Sequence, residues 1–252
     1  MEPDILFPNE RIDDLQLNGM RIIQNSDMFC FGTDAVLLAD YASAFIQKNS
    51  TVIDLCSGNG IIPILLSQKS YASKIIGIEI QKDSANLAKR SILLNKIDDK
   101  VEIICDDLKN SVALFGKSKF DVVTCNPPYK EAGGGLINNA DPITIARHEI
   151  LCSLEDIIRV SSNILKPYGK LCMIHRPERL ADIIWHMRNY KIEPKRLRFI
   201  HPSANKTATM ILVEGTYLGK PKLFFDPPLY MYTSPGVYSE EIHTIYSRRK
   251  SG

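Results

Sequence analysis

Apolar positions along this 252-residue chain follow two alternating rhythms. Short apolar runs at 51–55, 74–79, 100–105, 119–125 and 169–175 read as buried strands. Between and after them, segments near 60–68, 83–95, 142–149, 153–165 and 178–190 carry helical spacing. Alternation of this kind implies βαβ units with right-handed crossovers, and so a parallel sheet with helices on both faces. Leu197–His201 and Thr207–Glu214, separated by Pro202-Ser203-Ala204-Asn205-Lys206, predict an antiparallel hairpin at the far edge. Upstream, Leu15-Gln16-Leu17 and Met20-Arg21-Ile22-Ile23 flank Asn18-Gly19, the residue pair that a tight hairpin turn favours because both accept positive φ. Thr33 is the expected N-cap of a helix running to Ala42.

The pattern predicts an α/β fold: a Rossmann-like, doubly wound, mostly parallel seven-stranded sheet with an antiparallel edge hairpin. Residues 1–50 form a small hairpin-and-helix extension, 51–215 the main domain, and 216–252 an irregular cover segment. That last segment carries Pro221, Pro227, Pro228 and Pro235 and one short helix near Ser239–Ile245. Gly133-Gly134-Gly135 reads as a mobile loop.

Composition is that of an ordinary globular protein, with 44% hydrophobic and 24% charged residues. The apolar runs are far short of a membrane span, and Met1-Glu2-Pro3-Asp4 is acidic where a signal peptide is basic. Six scattered cysteines with no Cys-x-x-Cys pair suit reduced core positions, so a cytoplasmic location is expected, with neither disulfides nor a metal site. Net charge is +2, but it is unevenly spread. Residues 166–206 hold 10 Lys/Arg against 3 Asp/Glu, whereas residues 1–165 hold 16 against 22. A basic sector of this kind suits a phosphate backbone, and solvated surface charge explains it nearly as well.

The chemistry concentrates at predicted strand ends. Val52-Ile53-Asp54-Leu55 turns through Cys56-Ser57-Gly58-Asn59-Gly60 into a helix, and in doubly wound sheets ligands bind at such carboxyl ends. Gly58 and Gly60 permit a tight turn and close approach of a ligand. Glu79 ends the second strand, where a carboxylate can hold ribose hydroxyls, and Asp106-Asp107 follow the third. A dinucleotide site is the competing reading. Against it, Gly-x-Gly-x-x-Gly is incomplete, and Asp54 sits where a pyrophosphate would be repelled but an ammonium attracted. Asp54 also suits a helix cap, and either acid at 106–107 a turn cap. After the fourth strand comes Asn126-Pro127-Pro128-Tyr129. Two prolines stop the strand and hold the Asn amide and adjacent carbonyls at a rigid end. The pair of acceptors suits an NH2 on a flat group, with the Tyr129 ring stacked on its face.

Asp54, Gly58, Gly60, Glu79 and Asp107, in that order before Asn126-Pro127-Pro128-Tyr129, resemble the motifs of class I S-adenosylmethionine-dependent methyltransferases acting on planar amino nitrogens. Cys56 departs from the pattern, since it stands where that superfamily usually has its first glycine. Phe29-Cys30-Phe31-Gly32-Thr33-Asp34-Ala35-Val36-Leu37-Leu38-Ala39 is similar to the N-terminal motif of the bacterial tRNA(Val) adenine-N6 methyltransferases. Ala146-Arg147-His148-Glu149 and Ile174-His175-Arg176-Pro177-Glu178-Arg179-Leu180 share the likeness, which covers almost the whole chain and weakens after about residue 215.

The resemblance implies S-adenosyl-L-methionine as cofactor, S-adenosyl-L-homocysteine as product, no metal, and tRNA as partner. It implies that Gly32, Thr33, Asp34, Asp54, Cys56, Gly58, Gly60, Glu79, Asp107 and Asn126 bind the cofactor. Asn126, Pro127 and Tyr129 are the implied catalytic set, with Pro128, Arg147, His148, Arg176, Arg179, Arg196, Arg198 and Lys206 facing the substrate. Arg188 and Lys195 are further phosphate candidates. His148-Glu149 is not a zinc-protease pair, because His-Glu-x-x-His is missing. Guanine-N2 rRNA and protein glutamine N5 methylation are alternative reactions, and a non-catalytic cofactor- or RNA-binding module is a different class. An amine-orienting Asn disfavours the last, since binding alone has no use for it.

Overall fold

A computed structural model describes residues 6–28, 30–127 and 152–247. The expected helix at 142–149 and the triple glycine lie outside the described residues.

The first hairpin, β1 (Glu10–Asp14) and β2 (Arg21–Asn25), is antiparallel. Its connection includes Asn18 and Gly19 at the positive φ expected of the turn, +52° and +73°. The strand expected at Leu15-Gln16-Leu17 is instead part of that connection, where Leu15 and Leu17 are buried in the core. Next come α1 (Thr33–Ser43), β3 (Thr51–Leu55), α2 (Ile61–Lys69), β4 (Lys74–Glu79), α3 (Lys82–Leu94) and β5 (Val101–Cys105). A short α4 (Ser111–Phe115), absent from the expected helices, precedes β6 (Phe120–Cys125). There follow α5 (Leu154–Ile164), β7 (Leu165–His175), α6 (Leu180–Asn189), β8 (Ile192–His201) and β9 (Met210–Tyr217). The tail adds β10 (Phe224–Phe225), β11 (Leu229–Tyr230), the small pair β12 (Tyr232–Ser234) and β13 (Val237–Tyr238), and α7 (Glu240–Ser247). The helix at 33 starts with Gly32, not Thr33, as its N-cap.

The main sheet has nine strands, in the path β10-β8-β9-β7-β6-β3-β4-β5 with β11 also on β8. Seven match the expected doubly wound arrangement with its antiparallel excursion at β9. The other two are a correction: Phe224–Phe225 and Leu229–Tyr230 pair in parallel with β8. Pro227 and Pro228 lie between them, and proline has no N–H to give the ladder, so the tail joins β8 only in two-residue pieces.

Alternate residues of β3 enter two cores. Val52 packs with apolar residues of α1, α2 and α3, and Ile53 with those of α5 and α6. Burial on both faces is why the strands read as continuous apolar runs. The strand order reverses at β3, which pairs in parallel with β4 on one side and β6 on the other. The carboxyl ends of β3, β4, β5, β6, β7 and β8 therefore share one edge, and the switch point lies between β3 and β6.

Candidate functional site

At that edge, Asp54 is fully buried and aligned with Thr124 across the β3–β6 pair. Thr124 Oγ1 donates to Asp54 Oδ1 at 2.6 Å. Burial pushes the Asp54 carboxyl up to about 7. The hydroxyls of Thr124 and Ser57 pull it back in part, and the negative charge of Glu79 raises it further. Ser57 acts by proximity alone, because its Oγ is not aligned as a hydrogen bond.

Beyond β3 the chain turns with Cys56, Gly58 and Gly60 at φ +60°, +54° and +82°. Left-handed φ at the first of these explains why glycine suits it. Cys56 tolerates the position at a cost of about 1–2 kcal/mol. At Gly60 a Cβ would lie 2.9 Å from Ala88 Cβ of α3, so the turn needs glycine for space as well as for φ. A Cβ on Gly58 would meet nothing within 4 Å, which leaves that face open to a ligand.

Glu79, at the end of β4, accepts the Gly58 N–H at 2.8 Å and the Gln81 N–H at 2.9 Å. It thus ties the first turn to the second while keeping lone pairs for hydroxyls. Asp107 caps a short 3₁₀ turn by accepting the Lys109 N–H at 2.9 Å. Asp106 accepts from the Asp107 N–H and from Asn110 Nδ2, both at 2.7 Å. The turn-capping reading therefore holds for both acids, which stand at the same sheet edge.

Asn126 follows β6, and its Nδ2 donates to Asp34 Oδ2 at 2.8 Å, joining residues 92 apart in sequence. Two appendages hold the segment leading into α1. Gln24 of the hairpin accepts the Phe31 N–H at 3.1 Å, and Tyr246 of α7 reaches Thr33 Oγ1 at 3.4 Å. The buried polar atoms that have no hydrogen-bond partner among the described residues include Asp54 Oδ2, Ser57 Oγ, Asn59 Nδ2 and Asn126 Oδ1. Such atoms are costly unless something polar meets them, and together they suit a charged, hydroxyl-bearing ligand.

The methyltransferase small domain family matches residues 20–184, the span that contains these strand ends. The chain belongs to that family. Relatives of this methyltransferase include a tRNA1(Val) (adenine(37)-N6)-methyltransferase of Porphyromonas gingivalis, 29% identical over 83% of this chain and 84% of the relative. One from Parabacteroides distasonis is 27% identical over 76% and 79%. A predicted O-methyltransferase from Agrobacterium tumefaciens shares the fold, with TM-score 0.68, 23% identity, and coverage of 84% and 95%. Methanocaldococcus jannaschii Trm5, solved with adenosine, shares it at TM-score 0.61 and 18% identity, over 85% of this chain and 58% of that one. The cofactor of this methyltransferase is S-adenosyl-L-methionine, and the orphaned polar atoms and the open face at Gly58 fit it.

Outside the described residues lie Pro128, Tyr129, Arg147 and His148. Of the basic residues expected to face substrate, Arg176, Arg179 and Lys206 follow the carboxyl ends of β7 and β8, at the site's edge. Arg179 pairs with neighbouring Asp182 at 2.8 Å. Arg196 and Arg198 are engaged within the chain. Arg196 pairs with Asp226 at 2.5 Å, and Arg198 donates to Glu241 at 2.7 Å and to the Pro227 carbonyl at 2.9 Å. They fasten the tail to β8, because the acids that satisfy them come 30 and 43 residues later. Arg188 faces Glu193 at 3.5 Å and Lys195 donates to the Lys220 carbonyl at 3.0 Å, so both are likewise engaged within the chain.

Proposed function

We propose that this methyltransferase methylates the exocyclic N6 of an adenine in tRNA, the anticodon-loop adenine of a valine tRNA, in the cytoplasm. The observation that carries the reading is the Asn126 amide: a buried carbonyl oxygen without a partner among the described residues, fixed at the end of β6 beside the switch point. The names borne by the relatives supply the nucleotide and the tRNA species.

S-adenosylmethionine supplies, when bound, a methyl group on a positively charged sulfur, and the C–S bonding pair stays with that sulfur as the methyl leaves. Glu79 would hold the ribose hydroxyls, and Asp54 the ammonium end. Asp107 and the turn from Cys56 to Gly60 would border the adenosine, with Gly32 and Thr33 beside the methionine part. Asn126 Oδ1 and the Pro127 carbonyl accept the two hydrogens of the adenine NH2. That leaves the nitrogen lone pair as the one direction free for attack. As the new N–C bond forms, nitrogen gains positive charge, which the two carbonyl dipoles stabilise before a proton passes to water. Tyr129, by its place in the motif, stacks on the base, a contact worth about 1–3 kcal/mol. The base has to leave its stack to reach these groups, and a loop adenine does so at lower cost than a paired one. Arg176, Arg179 and Lys206 at the site's edge, with Arg147 and His148, would hold the flanking backbone.

Cofactor binding is expected to depend on pH through Asp54. Its carboxyl titrates at about 7 in the free protein, so below that pH it is mostly protonated and cannot pair with an ammonium. Affinity for S-adenosylhomocysteine should rise with pH up to about 7 and then level, by at most about tenfold per unit. The slope should vanish in Asp54→Asn, as calorimetric titration would show. A valine tRNA transcript carrying adenine 37 should take up methyl, and the same transcript with guanine there should not. Equal labelling of both transcripts would overturn the assigned nucleotide.

A further inference from the structure

Asn126 has a chemically fixed orientation, and the group that fixes it is Asp34. A carboxylate accepts hydrogen bonds and donates none, so the Asn126 atom 2.8 Å from Asp34 Oδ2 is the NH2. The amide carbonyl must therefore point the other way, and it is the atom left without a partner among the described residues. With the amide reversed, an NH2 would confront the NH2 of the base, two donors facing each other. Gly32 makes room for this arrangement. A Cβ there would stand 2.7 Å from Asp34 Oδ1, so any side chain at 32 displaces the carboxylate. The φ of Gly32 is −105°, so the glycine is needed for space and not for backbone conformation. The surroundings hold Asp34 in turn, through the Gln24–Phe31 and Tyr246–Thr33 contacts on the residues just before it.

We propose that Asp34 is a positioning residue for methyl transfer: it locks the Asn126 amide with its carbonyl toward the substrate amine. This rests on the amine-methylating reading of the site, and it moves Asp34 from the cofactor to Asn126. The carboxylate has a second effect. A negative charge on the amide NH2 polarises the amide and makes its carbonyl a stronger acceptor as positive charge builds on the nitrogen.

The test measures two quantities for the wild type and for Asp34→Ala, Asp34→Asn and Gly32→Ala. One is kcat for methyl transfer to tRNA at saturating cofactor and RNA, and the other is the Kd for S-adenosylhomocysteine by calorimetry. Asp34→Ala should lower kcat by about 10- to 100-fold, with Kd within about threefold. Asp34→Asn keeps the shape but also allows the reversed amide, so it should fall in between. Gly32→Ala should lower kcat in the same direction although it leaves the carboxylate in place, and this separates positioning from mere presence. A Kd weakened tenfold or more with kcat preserved would make Asp34 a cofactor ligand and overturn the proposal. Unchanged kcat in all three would overturn it as well. The wild type separates this from the reaction itself: an inactive wild type removes the reading on which the proposal rests, whereas an active one with an equally active Asp34→Ala removes only the positioning role.

Discussion

Asn126→Ala is expected to lower the rate of methyl transfer by about 10²–10³, the usual effect of deleting one pre-set polar group from a reacting centre. Cofactor affinity should hardly change, because the charged contacts expected for the cofactor lie on β3 and β4 and are untouched. Asp34 loses the amide it now receives, but its carboxylate, half-buried in the first turn of α1, keeps access to water or other donors. The diagnostic pattern is thus a fall in kcat with nearly constant Kd for S-adenosylhomocysteine. Equal loss of both would mean that Asn126 organises the cofactor pocket and that the amine is oriented by another group.

The largest effect on stability is expected at Lys69. Its ammonium is completely buried, 3.2 Å from Asp40 of α1 and 2.5 Å from the Ile245 carbonyl of α7. One side chain at the end of α2 thus joins two other helices, including the tail helix whose Tyr246 touches Thr33. Lys69→Ala leaves the Asp40 carboxylate almost buried and without this partner. Breaking a buried pair from one side costs about 3–5 kcal/mol. In a domain of this size that amounts to a melting temperature lower by about 6–20 °C. Replacing both members with apolar residues of similar volume, Lys69→Met with Asp40→Leu, should recover most of the loss, since the pair itself offsets little more than its own desolvation. If Lys69→Ala melts like the wild type, the tail is not held by this ammonium.

The order of strands and helices was legible because each element is a local pattern. The meeting of Asp54, Gly58, Gly60 and Glu79 was legible for a related reason: they sit at strand ends, and strand ends on one sheet edge meet automatically. Contacts between distant appendages were not legible. Nothing near Asp34 signals that its partner lies 92 residues on, or near Lys69 that its carbonyl lies 176 residues on. The same blindness hides the partners of Arg196 and Arg198. A basic run on a strand suggests phosphates until the fold brings Asp226 and Glu241 against it. The tail strands β10 and β11 were hidden because a two-residue strand carries no period. Cys56 is the reverse case: a departure visible in sequence, whose meaning came only with its positive φ.

The most direct test of the central claim is nucleoside analysis of unmodified tRNA incubated with the protein and methyl-labelled S-adenosylmethionine, with Asn126→Ala in parallel. The site described here predicts label in N6-methyladenosine with the wild type and a loss of about 10²–10³ in its rate of formation with the variant. Label in another nucleoside, or equal N6-methyladenosine from both proteins, would contradict it.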